Sequence, residues 1–304
     1  MRKKELSVQS RLGSKIAPYL FILPAIILIV LLVLYPVCYS LYLSFHKYML
    51  NLPMDRIFFN GLDNYRKIFT DKEFLYSLRW TLLFTAIVVS IELILGIGLA
   101  SILNNKLIKR RAVIFRTILF LPMMLSPIIT GVMWRILFEA KFGVVNYLME
   151  CLGLNRINWL AEEIPAKLAL IVTDVWHNTA FVMLIFLAAL QTVPEELYEA
   201  AVLDGAGAAE KFFKITIPYL RNFLGLIVSV RLMDALRFFD EIFVLTNGGP
   251  GVSTQTAGFT IYRQAFRYSN VGVGSAGAFV FLILIAGVSL ASLRLIQGKN
   301  KERG

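Results

Sequence analysis

Gln191-Thr-Val-Pro-Glu-Glu-Leu-Tyr-Glu-Ala-Ala-Val-Leu-Asp-Gly-Ala-Gly-Ala-Ala-Glu-Lys-Phe-Phe-Lys-Ile-Thr-Ile-Pro-Tyr-Leu220 is a polar interruption between two long apolar runs. Thr192 and Glu195 have the spacing of a capping box, T-x-x-E. Glu195, Glu196 and Glu199 then favour the positive end of a helix. Gly205 and Gly207 stop that helix and permit a sharp turn. A second short helix fits 208–215, and Pro218 punctuates its exit. Ala200, Ala201, Ala206, Ala208 and Ala209 keep this helical hairpin thin, and Leu197, Tyr198, Val202 and Leu203 are apolar residues on which another surface can dock. An ordinary solvated connector is the competing reading, and the spacing speaks against it.

Working outward, the flanking runs are long. A helix that crosses the hydrocarbon core needs about 20 mostly apolar residues. Six runs qualify: 19–42, 77–103, 117–137, 166–190, 222–245 and 274–295. The apolar stretch after the basic segment 1–17 is too long for a cleaved signal peptide and no small-residue cleavage site follows, so it is expected to be retained. Residues 1–16, 104–116, 191–221 and the C-terminal tail hold seventeen Lys and Arg; the alternating loops 46–76, 138–165 and 246–273 hold nine. The positive-inside bias then places both termini and the hairpin in the cytoplasm, with Trp80, Trp134 and Trp159 near the outer interface. The expectation is an all-α polytopic membrane protein of six transmembrane helices: a basic N-terminus 1–16, a transmembrane domain 17–296 that includes the loop 191–221, and a tail 297–304.

Composition agrees. Of 304 residues 58% are apolar and 17% charged, and the mean hydropathy is +0.69. A soluble domain carries about 25% charged residues, and a disordered chain is far less apolar. The net charge of +11 comes from basic residues that flank apolar runs rather than clustering beside a soluble fold, so nucleic acid is not expected as a partner. Cys38 and Cys151 form no metal-spaced pair, and Cys38 reads as a small buried hydrophobe. Pro24 and Pro36 in the first run, and Pro122 and Pro127 in the third, mark kinks that leave room for a cavity or serve structure alone.

Glu199-Ala200-Ala201, then Gly205, then Ile215-x-Ile217-Pro218 resembles the EAA loop of ABC importer permeases, with Ile217 where the family pattern has Leu. The resemblance covers nearly the whole chain. Tyr19-Leu-Phe-Ile-Leu-Pro24, Leu34-Tyr-Pro36 and Ser40-Leu-Tyr-Leu-Ser44-Phe look like the first helix of carbohydrate-class permeases, and Gly61-Leu-Asp-Asn-Tyr65 resembles their first outer loop. Phe239-Asp240, Val244-Leu-Thr-Asn-Gly-Gly-Pro250 and Thr256 are similar to the fifth helix and following loop of the maltose-permease subfamily. The resemblance implies the type I permease fold in a bacterial or archaeal cell membrane. It also implies that Glu199, Ala200, Ala201, Asp204, Gly205, Ile215 and Pro218 couple to a separate ATPase dimer. Further implied partners are a second homologous permease, an extracytoplasmic substrate-binding protein and a carbohydrate cargo: a sugar, oligosaccharide, polyol or glycerol phosphate.

Charges inside the fifth run need a reason, because each costs about 2.5–3.5 kcal/mol at a helix centre. On one continuous helix Arg231, Asp234, Arg237 and Glu241 fall within an arc of about 120°, with Asp240 beside it. Two readings stay open: a polar stripe lining the translocation path, or ion pairs that lock helices together. Asp174, Trp176, His177 and Asn178 in the fourth run are open in the same way, as path residues or as interhelical bonds. Glu92 has no opposite charge within a helical turn, so its partner is expected on another helix. A proton- or sodium-coupled transporter using Asp174, His177 and Glu92 is the rival function. The run Asn247-Gly-Gly-Pro-Gly251 lacks the order of a phosphate-binding loop and reads as an outer turn. No metal cluster or catalytic triad is expected, nor any cofactor or enzymatic activity in this chain.

Overall fold

The computed structural model describes residues 20–51, 53, 57–104 and 109–297. The basic N-terminus, Lys106 and the tail beyond Gln297 lie outside them. Among the described residues the regular structure is helical apart from one pair of two-residue strands, and the chain divides into two compact units: residues up to Ile68 with Gln264–Phe279, and Phe69–Arg263 with the residues from Val280 onward.

In the first unit, α1 runs Leu20–Ser44, and none of its apolar window is buried. Cys38 on α1 is therefore exposed, not the buried hydrophobe expected. Pro36 does not break the helix. A single π turn, Val30–Leu34, precedes it, and Tyr35 N–H bonds to the Val30 carbonyl, so the helix widens to absorb the proline. Strands β1 (His46–Lys47) and β2 (Phe58–Phe59) pair antiparallel before α2, Asp63–Thr70. The motif from Gly61 to Tyr65 works locally. Gly61 takes the left-handed φ of +57° that a side chain would resist. Asn64 is buried; it donates to the carbonyls of Ser44 and His46, both at 2.9 Å, and accepts from Asn60 at 3.1 Å. Tyr65 and Ser44 share a hydroxyl–hydroxyl bond of 2.8 Å.

The second unit is built on α3 (Lys72–Leu103) and α7 (Glu163–Leu190), both long and apolar enough to span a bilayer. Asp71 caps α3 through its carboxylate. The two helices touch at Gly96, where an added Cβ would lie 2.6 Å from Val182 Cγ1. Between them in sequence come α4 (Lys109–Phe120), a 3-10 turn (Leu121–Met124), α5 (Pro127–Leu137) and the short α6 (Val144–Cys151). Pro122 and Pro127 bracket a bend of 98° between the two halves of the expected third span.

The expected fifth span, 222–245, is not one helix. Helix α10, Arg221–Leu236, stops at Arg237, and α11, Asp240–Leu245, starts anew. Helix α12 covers Ala257–Tyr262, and α13 covers Val271–Gln297. Four described helices are thus long and apolar enough to span, five with the bent pair, against the six spans expected. Phe84, Phe138, Leu170, Phe238, Ile242 and Phe259 form one core of this unit; Val182, Met183, Phe186, Leu190, Leu220 and Ile227 form the other.

Candidate functional site: a buried charge cluster and a helical hairpin

The hairpin between α7 and α10 is α8 (Glu195–Leu203) followed by α9 (Ala208–Lys211), which continues through a π turn (Phe212–Thr216) and Ile217–Tyr219. The capping box does not form: α8 begins after Pro194, and Thr192 Oγ1 instead donates 2.8 Å to the Ala189 carbonyl, closing α7. The stop works as the sequence suggests. Gly205 adopts φ +76°, and Ala206 N–H bonds back to the Ala201 carbonyl at 2.8 Å. The second arm outlasts 208–215, because a π turn accommodates Pro218 just as one accommodates Pro36; here Ile217 N–H reaches the Phe212 carbonyl.

The two arms are bolted together. Tyr198 turns inward and its hydroxyl meets Thr216 Oγ1 at 2.8 Å, while Tyr219 donates to the Thr192 carbonyl. Lys214, 2.5 Å from Glu210, holds that exposed carboxyl below the usual carboxylate range. Glu199, Ala200, Asp204, Gly205 and Pro218 are exposed, Ile215 is half-buried and Ala201 is buried. At the turn Leu203 is 89% exposed, with Val202 and Leu197 also open. A cleft of about 1240 Å³ opens beside α8, lined by Leu103, Arg116, Gln191, Tyr198, Glu199 and Leu203 among others.

Farther along the same helices lies a buried ionic cluster. Arg231 on α10 donates Nε to Glu92 Oε2 at 2.7 Å and Nη2 to Glu92 Oε1 at 2.9 Å. Nη2 also reaches Asp174 Oδ2 on α7 at 3.4 Å, and Nη1 lies 3.8 Å from Asp234 Oδ2. One guanidinium thus faces carboxylates from α3, α7 and its own helix. Glu92, Asp174 and Arg231 are all buried. Asn178 supports Asp174 with a bond of 2.9 Å. The Coulomb attraction must offset the desolvation of three charged groups, which is why the bidentate geometry and the extra bonds matter.

The break after Leu236 divides the expected stripe in two. Arg231 and Glu241 point inward. Asp234, Arg237 and Asp240 are exposed, and Arg237 pairs with Asp234 at 2.9 Å. His177 is buried with its Nδ1 3.5 Å from Glu241 Oε1 on α11, outside hydrogen-bond geometry. The break frees the Phe238 carbonyl, which Thr256 Oγ1 satisfies at 3.0 Å. The following loop is stapled by Thr254, whose hydroxyl donates to Thr246 Oγ1 and lies 2.7 Å from the Gly249 carbonyl. Trp176 sits apart from the charges. It stacks edge-on against Trp134 at 5.6 Å and borders an apolar recess of about 510 Å³ with Leu95, Leu119, Pro122 and Met183. Thr216 and Thr256 carry no spacing signal as bonding partners, since each meets a residue 18 positions away.

Comparison with known proteins gives a consistent result. The family model described as "Binding-protein-dependent transport system inner membrane component" matches residues 92–300. The chain is 37% identical over 280 residues to the trehalose/maltose transport system permease protein MalF of Thermococcus litoralis, covering 91% of this chain and 92% of that one. It is 34% identical over 295 residues to the arabinooligosaccharides transport system permease protein AraP of Bacillus subtilis, covering 96% and 92%. A chain of a bacterial ABC transporter involved in the import of the acidic polysaccharide alginate shares the fold, with a TM-score of 0.82 over 94% of this chain and 98% of that one at 21% identity.

Proposed function

This chain belongs to the family of binding-protein-dependent transport system inner membrane components, and from that premise we propose that it forms half of the path of an ATP-driven carbohydrate importer. The cargo is a sugar, oligosaccharide or polyol, or glycerol phosphate within the same class. The observation that carries this reading is the hairpin: two arms closed by Tyr198 and Thr216, an apolar tip at Leu203, and direct covalent continuity with both helices that meet in the charge cluster. A separate ATPase dimer docks on Glu199, Ala200, Ala201, Asp204, Gly205, Ile215 and Pro218. Closure of that dimer on ATP moves the hairpin as a rigid body, α7 and α10 follow, and the path opens to a loaded extracytoplasmic binding protein. A second, homologous permease supplies the other half of the path. The membrane is the cell membrane of a bacterium or archaeon, crossed six times if the segment 221–245 traverses it as a broken helix and both termini are cytoplasmic.

Within the membrane the charges divide by exposure. Asp234, Arg237 and Asp240 cannot face lipid without a cost of about 2.5–3.5 kcal/mol each near the bilayer centre. They face the path, where carboxylates accept from sugar hydroxyls and the guanidinium donates to them. Trp176 is a separate candidate for the path beside its apolar recess, and Asn178, bonded to Asp174, goes with the buried set. Arg231, Asp174, His177 and Glu241 are the locking set. The ion-coupled alternative draws no support: Glu92 and Asp174 are both engaged by Arg231.

The test is uptake of labelled carbohydrate into proteoliposomes with and without the ATPase, for the parent and for Gly205→Asp. An added Cβ at Gly205 meets nothing within 4 Å, so the variant inserts normally while its left-handed backbone is strained and a charge is set at the docking surface. Loss of ATPase co-purification and of uptake is expected. ATPase-independent uptake, or full uptake by Gly205→Asp, refutes the coupling role.

A further inference from the structure

Helix α6 carries its polarity opposite to that of a helix bathed in water. Its one amide side chain, Asn146, is buried and fully bonded. Nδ2 donates to the carbonyls of Ala140 at 3.1 Å and Ile157 at 2.9 Å; Oδ1 accepts from Ile157 N–H at 3.2 Å and from Trp159 Nε1 at 3.1 Å. Val144, Tyr147, Leu148 and Cys151 follow the i, i+3, i+4, i+7 spacing of one helical face, and all four are exposed. Phe142 before the helix and Leu152 after it extend the stripe at 73% and 77% exposure. A surface helix of a soluble protein turns such a stripe inward.

Three observations say what covers it. The first is position: α6 lies in the connection between α5, which ends at Leu137, and the spanning helix α7, which starts at Glu163. The second is level. Trp159, which holds Asn146, packs against Phe138 at 5.2 Å, and Phe138 stacks on Trp134 at 5.0 Å. Tryptophans concentrate where the hydrocarbon meets the headgroups. The third is continuity and charge. Ile129, Val132 and Ile136, spaced on one face of α5, are likewise exposed, so an open apolar face precedes the stripe in the chain. Exposed Lys141 and Arg156 flank α6, with Arg156 bound to Glu150 and to the Lys141 carbonyl. Basic side chains beside an apolar face suit lipid phosphates, with the stems over acyl chains and the heads among the headgroups.

We propose that α6 lies flat in the boundary between phospholipid headgroups and acyl chains, stripe toward the hydrocarbon, and pins the α5–α7 connection to the membrane surface. The inference needs only that the chain spans a membrane; it is independent of cargo and of ATPase coupling.

Cys151 on the stripe is a native reporter, and Cys38 is the one other cysteine of the chain. In a Cys38→Ser background, with the subunits that co-purify made cysteine-free, a nitroxide is attached to Cys151. Separate variants in which Cys151 is also replaced carry it at Leu148→Cys and at Glu150→Cys. The assembled protein is placed in phosphatidylethanolamine–phosphatidylglycerol vesicles. Collision rates are measured with oxygen, which partitions into lipid, and with a water-soluble nickel chelate. Oxygen collisions should exceed nickel collisions several-fold at 148 and 151, and the order should reverse at 150. Nickel dominance at all three sites overturns the proposal in favour of a water-facing surface. Protection from both colliders at 148 and 151 overturns it in favour of a protein partner on the stripe.

Discussion

Arg231 holds both oxygens of Glu92 in a bidentate bond, 2.7 and 2.9 Å, across 139 residues of sequence. Asp174 shares the same guanidinium. Helices α3, α7 and α10 therefore meet at one side chain, and two of those helices lead directly into the hairpin.

The members of that cluster are not equivalent. Arg231→Met strands two buried carboxylates and should cost about 3–5 kcal/mol. Glu92→Gln keeps a side chain that can accept from Arg231 while Asp174 still balances the charge, so it should cost less than half as much. Thermal unfolding of the two variants in detergent, side by side with the parent, checks the order. Equal losses would mean that the guanidinium is not the hub.

Two glycines on α3 should behave in opposite ways. A Cβ at Gly96 would meet Val182 Cγ1 at 2.6 Å and Met183 N at 3.0 Å, whereas one at Gly98 meets nothing within 4 Å. Gly96→Ala should destabilise by about 1–3 kcal/mol through forced helix separation. Gly98→Ala should be neutral or stabilising by up to about 1 kcal/mol through helix propensity. Melting temperatures of the purified variants decide it, and Val182→Ala should recover part of the Gly96→Ala loss.

Leu203 and Tyr198 separate docking from rigidity. Leu203 is almost fully exposed at the hairpin turn, so Leu203→Asp should leave stability within about 0.5 kcal/mol of the parent. The same change should abolish ATPase co-purification. Tyr198→Phe removes the bond to Thr216, worth about 0.5–1.5 kcal/mol, and should keep docking while lowering uptake per ATP hydrolysed. Stoichiometry of the purified complex and coupled transport assays read both outcomes.

The exposed pair Asp234–Arg237 contributes at most about 1 kcal/mol to stability. If this face lines the path, Asp234→Ala should spare folding and reduce uptake at least tenfold. Uptake at the parent level in a normally folded Asp234→Ala variant would place the face elsewhere.

Much of the fold is legible in the sequence. Four of the six long apolar runs, and Gly205 as a stop, depend on local backbone chemistry and appear where the residues indicate. The errors are equally physical. The capping box does not form because α8 starts at Glu195 with Pro194 as its N-cap, two residues beyond Thr192, leaving Thr192 to close the helix before it. The continuous stripe failed because 100° periodicity assumes an unbroken helix, and α10 ends at Leu236. Cys38 was expected in a core, but its helix presents an unburied apolar face, as an element that meets lipid or another chain would.

Sequence alone determined that this is a membrane-embedded helical chain with a polar hairpin set between two of its apolar runs, because hydrocarbon-length runs and helix-stopping glycines act within a few turns of the backbone. Tertiary structure alone decided which charges are locked and which are open. Glu92 and Arg231 lie on different helices, and Asp234 and Arg231 lie one turn apart on the same helix yet differ in burial. The reason is that pairing of buried charges depends on which helices pack together and where a helix breaks, and neither is written in the spacing of a single segment.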